Sequence, residues 1–264
     1  MPREFDIIAR HFAPIAGPEG LGLTDDAARI VPSPDHDLIL TADAIVAGVH
    51  FFPDDPPATI GRKALGVNLS DLAAKGAVPR AFLLTLALPG HIDDNWLASF
   101  ADGLGDLATT SGCVLIGGDT VATKGPLVIS ITAMGEVPAG TMVRRGGAQA
   151  GDLLYVSGTI GDAAIGLQLL LGTKNNAPWP LADDARAHLI GRYHVPAARM
   201  ALVHALRLHA GAAMDISDGL VGDLKKMLAL PDLGAVIRLD DIPLSVAARA
   251  AIKLRSDKIG RAHV

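Results

Sequence analysis

Pro57-Ala-Thr-Ile-Gly-Arg-Lys-Ala-Leu-Gly-Val-Asn-Leu-Ser-Asp-Leu-Ala-Ala-Lys75 and, a short turn later, Ala81-Phe-Leu-Leu-Thr-Leu-Ala-Leu88 decide the fold. In the first stretch Leu65, Leu69 and Leu72 recur at helical spacing, which predicts a helix over 57–75 with one buried stripe. The second stretch is an apolar run closed by Pro89-Gly90, a buried strand. Working outward from this pair, 4–12 reads as a short amphipathic helix with Phe5, Ile8 and Phe12 on one stripe. A Gly/Pro-rich loop then carries Asp25 and Asp26, and 38–41 is a strand that ends at Ala42-Asp43. On the other side, 93–110 is a second amphipathic helix. Residues 114–116 form a buried strand that ends in Gly117-Gly118-Asp119, and 127–137 alternates as a long strand. This order of strands and helices describes an α/β layered domain.

Residues 138–151 read as a linker, and we place the domain boundary near residue 145. Beyond it a new strand is expected over 152–156. Ser157-Gly-Thr-Ile-Gly161 then enters a helix over 162–171, two more helices follow, and an apolar step at 212–216 precedes a helix that starts near Asp218. The expected organisation is a first domain over 1–145 and a second α/β domain over 146–258.

The chain has 264 residues, half of them apolar, with a net charge of −5, 4% aromatics and one cysteine. A net negative charge argues against general nucleic-acid binding, which needs a basic face. Cys113 lies in an apolar run and reads as a buried core thiol; one cysteine excludes an internal disulfide framework and suits a reducing compartment. No apolar stretch reaches the length of a membrane span, and the N-terminus carries acids early without an apolar core. We expect a cytoplasmic protein without membrane partners.

Five aspartate-centred segments lie beside apolar runs: Leu23-Thr-Asp-Asp-Ala-Ala28, Thr41-Ala-Asp43, Asn68-Leu-Ser-Asp71, Leu115-Ile-Gly-Gly-Asp-Thr120 and Asp215-Ile-Ser-Asp-Gly-Leu220. Carboxylates at the edge of a core are costly without a partner, and Lys and Arg are not regularly interleaved with them. A hard cation is the natural partner, and Mg²⁺ bridges carboxylates to phosphate oxygens. The chain has neither a Gly-x-x-x-x-Gly-Lys-Ser/Thr loop nor a Gly-x-Gly-x-x-Gly turn, so phosphate binding would fall to metals, Arg and backbone amides. Each segment also has a bland reading. Gly117-Gly118-Asp119 could be a tight turn, Ser217 or Asp218 a helix cap, Asp71 a solvated helix residue, Asp25-Asp26 a turn, His50 a core histidine and Arg144-Arg145 exposed linker residues.

Taken together, Val46-Ala-Gly-Val-His-Phe51, Lys63-Ala-Leu-Gly-Val-Asn-Leu-Ser-Asp-Leu-Ala-Ala74, Leu115-Ile-Gly-Gly-Asp-Thr120 and Asp215-Ile-Ser-Asp-Gly-Leu220 resemble the thiamine-monophosphate kinase family. That family shares its fold with aminoimidazole ribonucleotide synthetase, selenophosphate synthetase and a hydrogenase maturation protein. The resemblance implies transfer of the γ-phosphoryl group of ATP to thiamine phosphate, several Mg²⁺ ions, and a homodimer in which N-terminal mixed sheets join into a barrel. By motif position it implies Asp26, Thr41, Asp43, Asp71, Asp119, Asp215 and Asp218 as metal ligands. Gly118, Asp119, Arg145 and Ser217 would contact the nucleotide and His50 the thiamine phosphate, with no covalent nucleophile.

Two local departures stand out. Thr24-Asp25-Asp26 replaces the usual Gly-Asp-Asp, and Thr41-Ala42-Asp43 the usual Ser-Thr-Asp; Ala42 lacks a hydroxyl, so weaker metal binding is expected there. The family's later Gly-Gly-Glu-Asp-Tyr-Glu segment is also missing, so the second domain is expected to be incomplete, with 259–264 as a non-native tail. The alternatives are a selenophosphate- or aminoimidazole ribonucleotide-type synthetase of the same fold, a metal-dependent phosphohydrolase, or a non-catalytic dimeric fragment.

Overall fold

The computed structural model describes residues 4–175 and 179–254, which form two compact units, one spanning 4–142 with 198–208 and the other the remaining described residues. Residues 259–264, the suspected tail, lie outside the described residues.

Unit 1 is a mixed four-stranded sheet under two helices. Its elements are α1 (Glu4–Ile7, continued by a π turn over Ile8–Phe12), β1 (His36–Val46), α2 (Pro57–Ala74), β2 (Val78–Pro89), α3 (Asp94–Ser111), β3 (Val114–Thr123) and β4 (Val128–Pro138). The strand order is β1-β4-β2-β3; β4 runs antiparallel to β1 and β2, and β3 parallel to β2. Two sequence features set the helices. Asp93 caps α3 by accepting from Trp96 N, and Gly112 closes it at φ 67°. The core lies between helices and sheet: Leu65, Leu69 and Leu72 of α2 pack with Phe82, Leu86, Ile129 and Ile131, all at most 1% exposed. Cys113 is fully buried, and that burial pushes its thiol up to about 12. It is the core thiol expected from sequence.

Two local expectations need correction in unit 1. The buried face of the first helix is Ile7, His11 and Phe12, while Phe5 is 79% exposed; the π turn adds a residue per turn and shifts the apolar stripe. β3 runs on to Thr123, so Gly117-Gly118-Asp119 sits within a strand and not after its end. Parallel pairing with β2 carries it onward, with Asp119 beside Thr85. A bulge at Ile116 makes this possible, because Leu115 pairs with Phe82 and Gly117 with Leu83. Gly118 has φ 154°, and a Cβ there would collide with the Leu84 carbonyl.

Unit 2 contains α4 (Asp162–Lys174), α5 (Asp183–His194), α7 (Leu220–Ala229) and α8 (Val246–Leu254), whereas α6 (Val203–His209) belongs almost wholly to unit 1. Ile165, Leu169, Leu189, Trp179, Ala248 and Ala251 form its core. The strand expected over 152–156 is absent: Leu153 is 77% and Tyr155 82% exposed. Among the described residues unit 2 has no strand, so this β-prone segment has no ladder to join. No helix among the described residues is long and apolar enough to cross a membrane.

Candidate functional site

A cavity of about 690 Å³ lies against β2, β3 and β4 of the unit 1 sheet. Asp25 and Asp26 line it together with Thr85, Gly117, Gly118 and Asp119. The acid pair is delivered by an unusual stretch of backbone. Leu21, Gly22 and Leu23 are all left-handed, at φ 51°, 72° and 56°; for two leucines this is strained backbone of the kind found at binding sites. Thr24 Oγ1 then ties back to Leu21 O at 3.0 Å, and Asp25 Oδ1 accepts from Asp26 N at 2.8 Å. The structure therefore brings Asp26, Gly118 and Asp119 to one cavity.

A second cluster forms where β1 meets α2. Thr41 Oγ1 donates to Asp71 Oδ2 at 2.6 Å, and Asp43 N donates to Asn68 Oδ1 at 3.1 Å. Asn68 is fully buried and donates in turn to Ala64 O at 3.0 Å, so α2 fixes the strand's register. Lost hydration, then the neighbouring Asp71 charge, push the Asp43 carboxyl up from its ordinary value, while His50 opposes them. Two carboxylates that compete in this way form a place where added positive charge is favoured.

His50 is exposed, so the core-histidine alternative fails. Its Nδ1 accepts from Val46 N at 3.0 Å, which leaves Nε2 outward. Its carbonyl accepts from the Lys63 ammonium at 3.2 Å. Lys63 is itself buried; desolvation pulls it down to about 8, against the opposing pull of Asp55.

In unit 2, Arg145 is exposed in a turn within the linker, and Asp215 is half-buried. Ser217 and Asp218 are exposed and precede α7. The residue that shapes their loop is Asp223, which is 1% exposed and was not singled out by sequence reasoning. Its Oδ2 accepts from the backbone N–H of both Ser217 and Asp218, each at 2.9 Å. Burial alone would raise Asp223; the Asp218 N–H, the Lys226 ammonium and the Ser217 N–H outweigh it and hold the carboxyl low. Lys226 bonds Asp218 Oδ2 at 2.5 Å and Asp223 Oδ1 at 3.0 Å. The only sequence clue to Asp223 is an acid one turn into a helix whose start already carries acids.

The candidate metal ligands are all Asp or Thr and so offer side-chain oxygen, which suits a hard cation and not a soft one. Among the described residues no group of three or more His, Cys, Asp or Glu stands close enough to hold a metal unaided. A cation here would need further oxygens, and phosphate supplies them.

Residues 24–137 match the family model for the N-terminal domain of AIR synthase related proteins. The thiamine-monophosphate kinase of Caulobacter vibrioides is 40% identical over 98% of this chain and 72% of its own length. Among solved structures, the thiamine-monophosphate kinase from Stenotrophomonas maltophilia K279a is 41% identical, with a TM-score of 0.79 over 90% of this chain and 72% of that one. AaThiL complexed with AMPPCP and TMP is 33% identical, with a TM-score of 0.77 over 87% of this chain and 71% of that one.

Proposed function

Because this chain belongs to the thiamine-monophosphate kinase family, we propose that its acidic clusters serve phosphoryl transfer. The chain is an ATP-dependent kinase that phosphorylates thiamine monophosphate. The observation that carries the site assignment is the single cavity lined by Asp25, Asp26 and Asp119 together with Gly117 and Gly118, which carry no side chain.

In this reading Asp26, Thr41, Asp43, Asp71, Asp119, Asp215 and Asp218 hold Mg²⁺, and Gly118, Asp119, Arg145 and Ser217 contact the nucleotide. His50 contacts thiamine monophosphate, with Lys63 fixing the height of its backbone. Bound Mg²⁺ would neutralise charge on the transferring phosphoryl group. The glycine pair lets phosphate approach the backbone of β3, and Arg145 offers a forked donor to phosphate oxygens. An acceptor phosphate oxygen attacks the γ-phosphorus in line; the bond to the β-phosphate oxygen breaks, giving thiamine diphosphate and ADP. No protein nucleophile is required, so the side chains act by positioning and by electrostatics.

We assign residues 1–145 to metal binding, nucleotide binding and dimerisation, and 146–258 to a second domain, in a cytoplasmic homodimer. Leu38 and Leu40 of edge strand β1 support the dimer, since they are 39% and 62% exposed where a soluble sheet would normally carry polar residues.

The test is incubation with Mg-ATP and thiamine monophosphate, with thiamine diphosphate read by mass spectrometry. Product should require Mg²⁺ and should fall by at least about a hundredfold in Asp119→Asn. Undiminished product from that variant refutes the assignment.

A further inference from the structure

The loop Asp215–Gly219 carries three of the proposed contact residues but has little regular structure of its own. A loop of this kind would sample many arrangements unless something fixed it, and ordering it at the moment of binding would weaken affinity. The structure shows what fixes it. Asp223, the fourth residue of α7, turns a buried carboxylate back beneath the loop. One oxygen holds two consecutive backbone N–H groups, those of Ser217 and Asp218. With both amides directed inward, the Ser217 and Asp218 side chains are left exposed. Gly219 follows at φ 117°, which lets the chain reverse into the helix.

The other Asp223 oxygen bonds the Lys226 ammonium, which also reaches Asp218 Oδ2. Asp218 therefore already has a cation beside it, supplied by the chain and mounted on the same buried anchor. A divalent ion that used the same Asp218 oxygen would have to displace that ammonium. Lys226 is half-exposed on a flexible stem and can swing aside while keeping its bond to Asp223.

From this geometry we infer that Asp223 is the positioning residue for the Asp215–Gly219 loop, and that Lys226 is an exchangeable internal counter-ion that occupies Asp218 until a divalent cation replaces it. The inference rests on the reading of Asp218 as a metal ligand. It predicts opposite effects from two neighbouring substitutions. Removing the competitor in Lys226→Met should tighten divalent binding, and by a modest factor because the pair is exposed: about two- to fivefold. Weakening the anchor in Asp223→Asn should loosen it. The amide oxygen can still accept from the loop, but its NH₂ then faces Lys226, so the KM for Mg²⁺ should rise by more than kcat falls.

The experiment titrates the full chain with Mn²⁺, alone and with the non-hydrolysable ATP analogue AMPPCP, and follows free Mn²⁺ by electron paramagnetic resonance. Wild type, Lys226→Met, Asp223→Asn and Asp218→Asn are compared, and far-UV circular dichroism confirms that each is folded. The expected order of affinity is Lys226→Met above wild type, with Asp223→Asn and Asp218→Asn below it. If Asp223→Asn does not fold, Lys226→Met decides alone, since its predicted gain is one that loss of structure cannot imitate. Weakened binding in Asp218→Asn, with no gain in Lys226→Met, overturns the inference and leaves the ligand reading standing. Unchanged binding in Asp218→Asn removes the ligand reading and this inference with it.

Discussion

Substituting Asp162 by Ala tests the polar knot that joins three helices of unit 2. Asp162 opens α4, is 2% exposed, and accepts three hydrogen bonds: from Thr159 Oγ1 at 2.5 Å, Ser245 Oγ at 2.6 Å and His188 Nε2 of α5 at 3.1 Å. Ser245 Oγ also accepts from Ala248 N at 2.9 Å and so begins α8. Hydrogen bonds to a charged group contribute about 1.5–3 kcal/mol each, but the three donors here are only partly buried and can turn to water, which argues for about 1 kcal/mol each. A carboxylate in the first helical turn adds about 0.5 kcal/mol. The expected loss is therefore about 3–4 kcal/mol in unit 2.

The pH dependence gives a second readout of the same knot. Burial alone would raise Asp162; the bonds from Ser245, Thr159 and His188 outweigh it and hold the carboxyl below its ordinary value. A depressed carboxylate contributes stability that is fully present above the unfolded value of about 3.9 and is lost as pH falls through the folded value. The gap between wild type and Asp162→Ala should thus be constant near neutrality and close below about pH 4. The assay is urea unfolding followed by Trp179 fluorescence in a Trp96→Phe background, because Trp179 lies in the unit 2 core and Trp96 in unit 1. A loss under about 1 kcal/mol, or a gap that persists unchanged to pH 3, would refute the reasoning.

Two further outcomes follow from unit 1. Lys63 is pulled down to about 8, so between there and its unfolded value the unfolded chain binds more protons, and stability should rise with pH across that window. Thermal unfolding of Lys63→Met at pH 7.5, 9 and 10 should lack this slope, and a slope equal to wild type excludes Lys63 as its source. Leu40→Glu places a charge on the exposed face of edge strand β1, and sedimentation velocity should show the proposed dimer reduced to monomer; an intact dimer would move the interface elsewhere.

The sequence was most legible where one period dominated. The leucine stripe of α2 and the alternation of β4 each had a single solution, and each is found in place. Legibility failed where a residue's partner lay far along the chain. The run 152–156 has strand composition, but a strand exists only where another offers its backbone, and no local pattern reveals that absence. Asp119 was expected after a strand because glycines usually end one. Here the glycines serve a bulge and a close approach to β2, which only the parallel register discloses. Asp162 and Asp223 were passed over for a related reason. Each looks like an ordinary acid at the start of a helix until its donors appear, and for Asp162 these include Ser245, 83 residues away.

This difference between pattern and partner also explains why the acidic segments look like a metal centre in sequence yet do not form one unaided. Their residue type suggests metal ligands, but the described residues show several of them paired: Asp25 with Asp26, Asp71 with Thr41, Asp218 with Lys226. A closed ring of carboxylates would bind divalent cations in the absence of nucleotide and would repel an incoming triphosphate. Pairs, each partly satisfied by a hydroxyl, an amide or an ammonium, avoid that repulsion and leave coordination to be completed by the substrate. Metal affinity should then depend on the presence of nucleotide, a dependence that the Mn²⁺ titrations with and without AMPPCP measure directly. Equal Mn²⁺ affinity in both conditions would mean that the ring closes without phosphate, against the geometry seen here.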